Sequence, residues 1–312
     1  MKKMILFADP GIDDAIALLY ALRQPSFDIL AVVAEYGNTF RHYALSNSIY
    51  LLKEGGRSDI PVFTGAERPF TGEAPDVQPT IHGPYGLGDL QPFLLIDQPS
   101  ENIDQLIPLI EQHAEELTIV TLGRLTTLAT LFLLYPILMN RIKEFYLMGG
   151  AFSVPGNITP FAEANIYDDP AAAEIVVQQA ANLTIIPLNV TNDVLYPPRF
   201  FTEMEAAGAN PLIRRLAEFY QRFNNQENGT STIPVHDLLT LVAFAEPDLF
   251  SYGLYHVEVI TAAGLSRGMT VADLRPLSEQ PAGPLPRIAL DVNPTAVLQH
   301  VFHIFTTQPS DF

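Results

Sequence analysis

The sequence predicts an α/β fold: a mainly parallel central sheet flanked by helices, Rossmann-like, with its ligand site at the carboxyl ends of the strands. Three observations carry this. Short apolar, β-branched runs alternate with stretches whose apolar residues recur at helical spacing. The runs end in turn-forming pairs such as Pro10-Gly11, Gly37-Asn38 and Gly149-Gly150. The chain is 48% hydrophobic and 17% charged, enough apolar material for a sizeable core. Alternation of this kind builds right-handed βαβ units.

The elements follow in order. Residues 4–7 read as a buried strand, and residues 13–22 as a helix with Ala15, Leu18, Leu19 and Leu22 at helical spacing. Asp9, Asp13 and Asp14 cluster around the turn between them. Residues 29–36 read as a strand and 43–53 as a helix. Residues 70–88 contain Pro and Gly, show little periodicity and read as a functional loop. Then come a strand over 117–122, a helix over 125–134, a strand over 145–148, a helix over 171–181 and a strand over 183–190. A helix begins near His236, with Asp237 as its N-cap. Residues 255–261 and 287–292 read as late strands of unassigned direction. Residues 275–286, with four prolines, read as a surface connection. With no internal repeat and no linker, the expectation is one domain over residues 1–312.

Composition excludes several functions. A net charge of −18 argues against binding nucleic acid or an anionic membrane. The absence of cysteine rules out a disulfide framework, a zinc-thiolate site and a cysteine nucleophile. The start has too short an apolar run for a signal peptide. The most apolar later window, residues 127–139, is broken by Pro136 and too short to span a bilayer. A soluble cytoplasmic protein is expected.

In open parallel sheets, ligands bind beyond the carboxyl ends of the strands. Asp9, Asn38, Leu122 and Gly149-Gly150 fall at such ends, and Asn157, Glu163 and Asn165 in a following loop. Converging carboxylates repel unless a cation or proton satisfies them, and oxygen-only ligands favour calcium or magnesium. His82, in the glycine-punctuated HGPYGLGD, and His236, beside Asp237, add groups that titrate near neutrality. Each residue taken alone has a plainer reading: aspartate caps helices, Asn and Gly make turns, and a lone histidine is more often structural.

Together these segments resemble the inosine-uridine nucleoside hydrolase family. From residue 5 to about 273 the motifs occur in the family order: DPGIDDAIAL, GN, HGxxGLG, LGxLT, MGGAF, GNITPFAEANIYDDP, HD and RGMTVADL. The resemblance implies calcium-dependent hydrolysis of the N-glycosidic bond of ribonucleosides, giving ribose and a free base. It implies that Asp9, Asp14, Asp237 and the Leu122 carbonyl ligate calcium, and that Asp9 takes a proton from a calcium-bound water. Asp13, Asn38, Asn157, Glu163 and Asn165 would hold the ribose hydroxyls, with Met148 lining the sugar pocket. His236 would protonate or hydrogen-bond the departing base, with His82 nearby, and Phe161, Tyr220 and Phe223 would offer aromatic surface to the base. The family commonly forms dimers or tetramers, so a homo-oligomer is expected.

The chain departs from the family pattern at three places. The motif DxDPGxDD reads FADPGIDD, with Phe7 for the first acid; LDVT reads LNVT, with Asn189; LTN reads LTT, with Thr127. Phe7 motivates a second reading, a nucleoside-binding protein with weak or no turnover. A magnesium phosphohydrolase is a third, and the scarcity of Lys and Arg near the motifs counts against it. The absence of tryptophan and cysteine disfavours two branches of the family and favours pyrimidine-preferring or broad inosine-uridine types.

Overall fold

The computed structural model describes residues 1–92, 101–276 and 283–307. Its strands are β1 (Lys2–Ala8), β2 (Phe27–Ala34), β3 (Val62–Thr64), β4 (Glu101–Asn102), β5 (Leu117–Thr121), β6 (Glu144–Met148), β7 (Leu183–Ile186), β8 (Leu195–Tyr196), β9 (Ile233–Pro234), β10 (Phe250–Leu254), β11 (Val257–Val259), β12 (Thr270–Ala272) and β13 (Arg287–Val292). The α-helices are α1 (Ile12–Arg23), α2 (Arg41–Glu54), α3 (Pro79–His82), α4 (Ile103–His113), α5 (Thr126–Leu134), α6 (Pro136–Met139), α7 (Ala164–Asp168), α8 (Pro170–Gln179), α9 (Leu188–Thr191), α10 (Pro198–Ala206), α11 (Pro211–Asn228), α12 (His236–Ala245) and α13 (Pro294–Thr306).

Among the described residues, nine strands form one sheet in the order β10-β13-β7-β6-β5-β1-β2-β3-β4. Every pairing in it is parallel except β10 with β13. The expected mainly parallel sheet is therefore present. Helices cover both faces, and β1 divides its side chains between them: Met4, Leu6 and Ala8 enter one apolar layer, Ile5 and Phe7 the other. That two-sided burial is why the central strands read as continuous apolar runs. No described helix is long and apolar enough to cross a membrane.

Three sequence expectations are corrected. The strand expected over 183–190 ends at Ile186; Pro187 caps the short helix α9 instead. Of residues 255–261 only Val257–Val259 is a strand, paired with β12 in a separate antiparallel ribbon. Asp237 is not the cap of α12: Val235 is, and Asp237 sits in the first turn. Of the surface connection expected over 275–286, residues 277–282 lie outside the described residues.

The order places a topological switch beside β1. From β1 the chain adds β2, β3 and β4 on one side, then returns to add β5, β6 and β7 on the other. Connections leaving β1 and β5 diverge, opening a crevice at the carboxyl ends.

Candidate active site

Asp9 follows β1 and Leu122 follows β5, so the switch point is where the sequence-predicted residues meet. A cavity of about 410 Å³ opens there. Of the predicted residues, Asp13, Asn38, His82, Leu122, Met148, Asn157, Glu163, Asn165, Tyr220, Phe223, His236 and Asp237 line it. Asp9 and Asp14 are fully buried behind this lining. Phe161 is not brought in: it is 40% exposed, on a turn held by Thr159, outside the cavity lining.

The carboxylates are held by backbone amides at the start of α1. Gly11 is the N-cap, and Asp14, three residues on, accepts its N–H at 3.1 Å and that of Asp9 at 3.3 Å. Asn38 Nδ2 donates to the same Asp14 at 2.9 Å. Oxygens of Asp13, Asp14 and Asp237 lie within 4.8 Å of one another, all buried. Asp9 is outside that trio. Its Oδ2 accepts from Arg124 Nη1 at 2.8 Å and from the Asn38 N–H at 2.5 Å, whereas Oδ1 has no hydrogen-bond partner. Asp13 Oδ1 is also unpartnered.

Burial drives these groups away from ordinary behaviour, and repulsion from neighbouring carboxylates adds to it for Asp9, Asp13 and Asp237. Asp9 and Asp237 are pushed far above the usual carboxylate range, Asp13 up to about 7, and Asp14 upward. Such crowding is costly for protein alone and is relieved by one hard cation among the oxygens. The donors are all oxygens, two of them buried and unpartnered, so the residues fit calcium or magnesium.

The two histidines differ in surroundings. His82 ends α3, and its Nδ1 accepts the Ile12 N–H at 3.1 Å, satisfying an orphan amide of α1. Burial, followed by Arg124 and His236, lowers it to about 3. It is neutral near pH 7, and with Nδ1 accepting, its proton resides on Nε2. His236 opens α12, with Nδ1 at 2.8 Å from the Thr191 hydroxyl, and burial lowers it to about 4.

The opposite wall is built around α7. Glu163 caps this helix, accepting from the Asn165 and Ile166 amides, and reaches back to the Gly150 N–H at 3.2 Å. Asn165 Nδ2 donates to the Leu122 carbonyl at 2.6 Å and the Met148 carbonyl at 3.2 Å. Asn157 Oδ1 accepts from the Ala164 N–H at 2.9 Å.

Sequence reasoning missed α11, which brings Asn224 and Glu227 to the cavity with Tyr220 and Phe223. The signal was available: Asn210-Pro211 starts a helix, and apolar Leu212, Ile213, Leu216 and Ala217 recur at helical spacing. It also missed Arg124, a lone cation in an otherwise apolar run, and Glu35, a buried acid just beyond β2.

Residues 4–299 match the family model described as inosine-uridine preferring nucleoside hydrolase. The chain belongs to this family. Members are hydrolases acting on N-glycosyl bonds. The chain is 33% identical over 276 residues to Uridine nucleosidase 1 of Arabidopsis thaliana, covering 87% of this chain and 82% of the relative. It is 34% identical over 276 residues to the pyrimidine-specific ribonucleoside hydrolase RihA of Escherichia coli O8, covering 86% and 88% respectively. Among solved structures it superposes on a plant nucleoside hydrolase, PpNRh1, with a TM-score of 0.92 at 31% identity, covering 98% of this chain and 99% of that one. A purine-preferring ribonucleoside hydrolase from Gardnerella vaginalis gives 0.89 at 25% identity, covering 98% of both.

The three departures from the nucleoside hydrolase pattern have structural explanations. Phe7 is fully buried in an apolar layer with Ile5, Val33 and Leu128, and does not line the cavity. Asn189 uses both ends of its amide on Phe152, accepting its N–H at 3.0 Å and donating to its carbonyl at 2.8 Å. An ionised aspartate there would only accept. Thr127 donates its hydroxyl to Glu35 at 2.7 Å and accepts the Ala66 N–H at 2.8 Å.

Proposed function

We propose that this protein hydrolyses the N-glycosidic bond of ribonucleosides, releasing ribose and the free base, with calcium as its resident metal. One observation carries the reading: buried, partly unpartnered carboxylates converge at the floor of a polar cavity at the switch point of a parallel sheet. Asp9, Asp14, Asp237 and the Leu122 carbonyl would hold the ion, with Asp13 close enough to join them or to face the sugar. When bound, calcium supplies positive charge that keeps the crowded acids ionised and polarises its oxygen ligands.

The remaining chemistry belongs to the chain. Asp9 accepts a proton from the attacking water through Oδ1, the oxygen that no other group of the protein engages. Asp13, Asn38, Asn157, Glu163 and Asn165 hold the ribose hydroxyls. Cleavage builds positive charge on the sugar, as in glycosidases, and the surrounding carboxylates favour that charge. His236 is neutral at pH 7, so it assists the departing base as a hydrogen-bond donor through Nε2 while Thr191 holds Nδ1. His82 acts mainly by securing the start of α1. Tyr220 and Phe223 offer faces to the base, while Phe161 remains outside.

The names of the relatives favour pyrimidine ribonucleosides, uridine first. Phe7 is buried in the apolar core and leaves the other acids in place, which favours turnover over binding alone. The decisive test is a reducing-sugar assay on a ribonucleoside panel with calcium present. Wild type releases ribose and Asp9→Asn loses at least the ~10²–10⁴-fold of a general base. No ribose from any nucleoside would refute the proposal. Metal analysis is expected to find about one calcium per chain, and sedimentation equilibrium tests the expected dimer or tetramer.

A further inference from the structure

The structure assigns Arg124 as the positioning residue that organises the calcium ligands of the proposed site. The inference rests on the functional reading above. Arg124 follows β5 and is 1% exposed, the largest fully buried side chain among the described residues. Its Nε donates to Asp168 Oδ2 at 2.6 Å, which anchors the guanidinium at its far end. Its Nη1 faces three acceptors: Asp9 Oδ2 at 2.8 Å, Asn165 Oδ1 at 3.1 Å and Asn38 Oδ1 at 3.2 Å.

Each contact leads to a proposed ligand. Asp9 is held directly, so that one oxygen is engaged and the other left free. Asn38, gripped by its carbonyl, turns its amide donor to Asp14 Oδ2. Asn165, gripped the same way, turns its donor to the Leu122 carbonyl. One planar cation thus sets the orientation of three of the four ligands without itself reaching the cavity lining. A lysine carries the charge but is a point donor and cannot span Asp168 and Asp9 together. Phe7 removes an acid from this region, and the Arg124–Asp168 pair supplies a fixed polar support behind Asp9 that does not depend on it.

The test uses the full chain and two readouts: calcium affinity by titration calorimetry, and kcat and KM for uridine by ribose release. Arg124→Ala is expected to weaken calcium binding and lower kcat by roughly 10–100-fold each, as for other residues that orient metal ligands. KM is expected to change less. Arg124→Lys recovers only part of the loss, and millimolar guanidinium restores both readouts in Arg124→Ala but not in Arg124→Lys. A folded Arg124→Ala protein with wild-type calcium affinity and kcat overturns the inference. So does guanidinium that raises the melting temperature without restoring kcat. If Arg124→Ala does not fold, Asp168→Asn decides: it keeps the cation and loosens its anchor, so both readouts fall in the same direction, and unchanged values overturn the assignment. Wild type that binds calcium yet cleaves no ribonucleoside refutes the functional reading instead.

Discussion

Gly123→Ala is the sharpest probe of how Asp9 is held. Gly123 has no left-handed backbone, so the substitution introduces no backbone strain. Its effect is steric: an added Cβ would lie 2.1 Å from Asp9 Oδ1, 2.8 Å from Cγ and 3.3 Å from Cβ. Ordinary carbon–oxygen contact needs a separation of more than about 3 Å, so the carboxylate must retreat by ~1 Å. It has nowhere to go. Arg124 and the Asn38 amide hold Oδ2 on the other side, and Gly37 packs so closely that its own Cβ would sit 2.0 Å from that oxygen. A displacement of ~1 Å at a reacting group costs about 10²-fold in rate, and overpacking a rigid site costs about 1–3 kcal/mol of stability. Ribose release from uridine with excess calcium measures the first, and urea denaturation the second. Near-wild-type kcat in a folded Gly123→Ala protein would refute the role of Asp9 Oδ1.

Other outcomes follow from the same geometry. Because His236 is lowered to about 4, the pH–rate profile between pH 5 and 7 carries no step from its titration; a step near 6.5 that vanishes in His236→Ala would contradict donation by the neutral ring. Glu35 is fully buried and raised to about 8, chiefly by burial. Its folded pKa exceeds its unfolded value, so its contribution is present at acidic pH and lost as pH rises towards 8, with a slope of up to ~1.4 kcal/mol per pH unit. Glu35→Gln is expected to flatten that slope in denaturation curves; an unaltered slope would show that Glu35 is not its source. Asn189→Asp removes the donor to the Phe152 carbonyl and is expected to cost about 1–3 kcal/mol in urea denaturation, whereas unchanged stability would mean the amide contact is dispensable.

The sequence by itself determined the layering of this protein. Strands buried on both faces must be apolar throughout, and helices packed on them must carry apolar stripes, so β1, β2, β5 and β6 and helices α1, α2, α5 and α8 were legible. The acids at strand ends were legible for the complementary reason: a carboxylate at the end of a strand buried on both faces needs a partner or a cation. The late strand over 287–292 is β13 as read, whereas the strands over 255–261 and 183–190 were read too long because β-branched residues favour strands locally, while Pro187 and the packing of β11 on β12 decide where pairing stops. Tertiary structure alone decided which polar groups meet. Asp9 and Arg124 are 115 residues apart, and no local pattern records their contact. It arises because β5 returns to the side of β1 opposite β2, carrying the guanidinium to the one crevice where Asp9, Asp168 and two asparagine carbonyls can satisfy it.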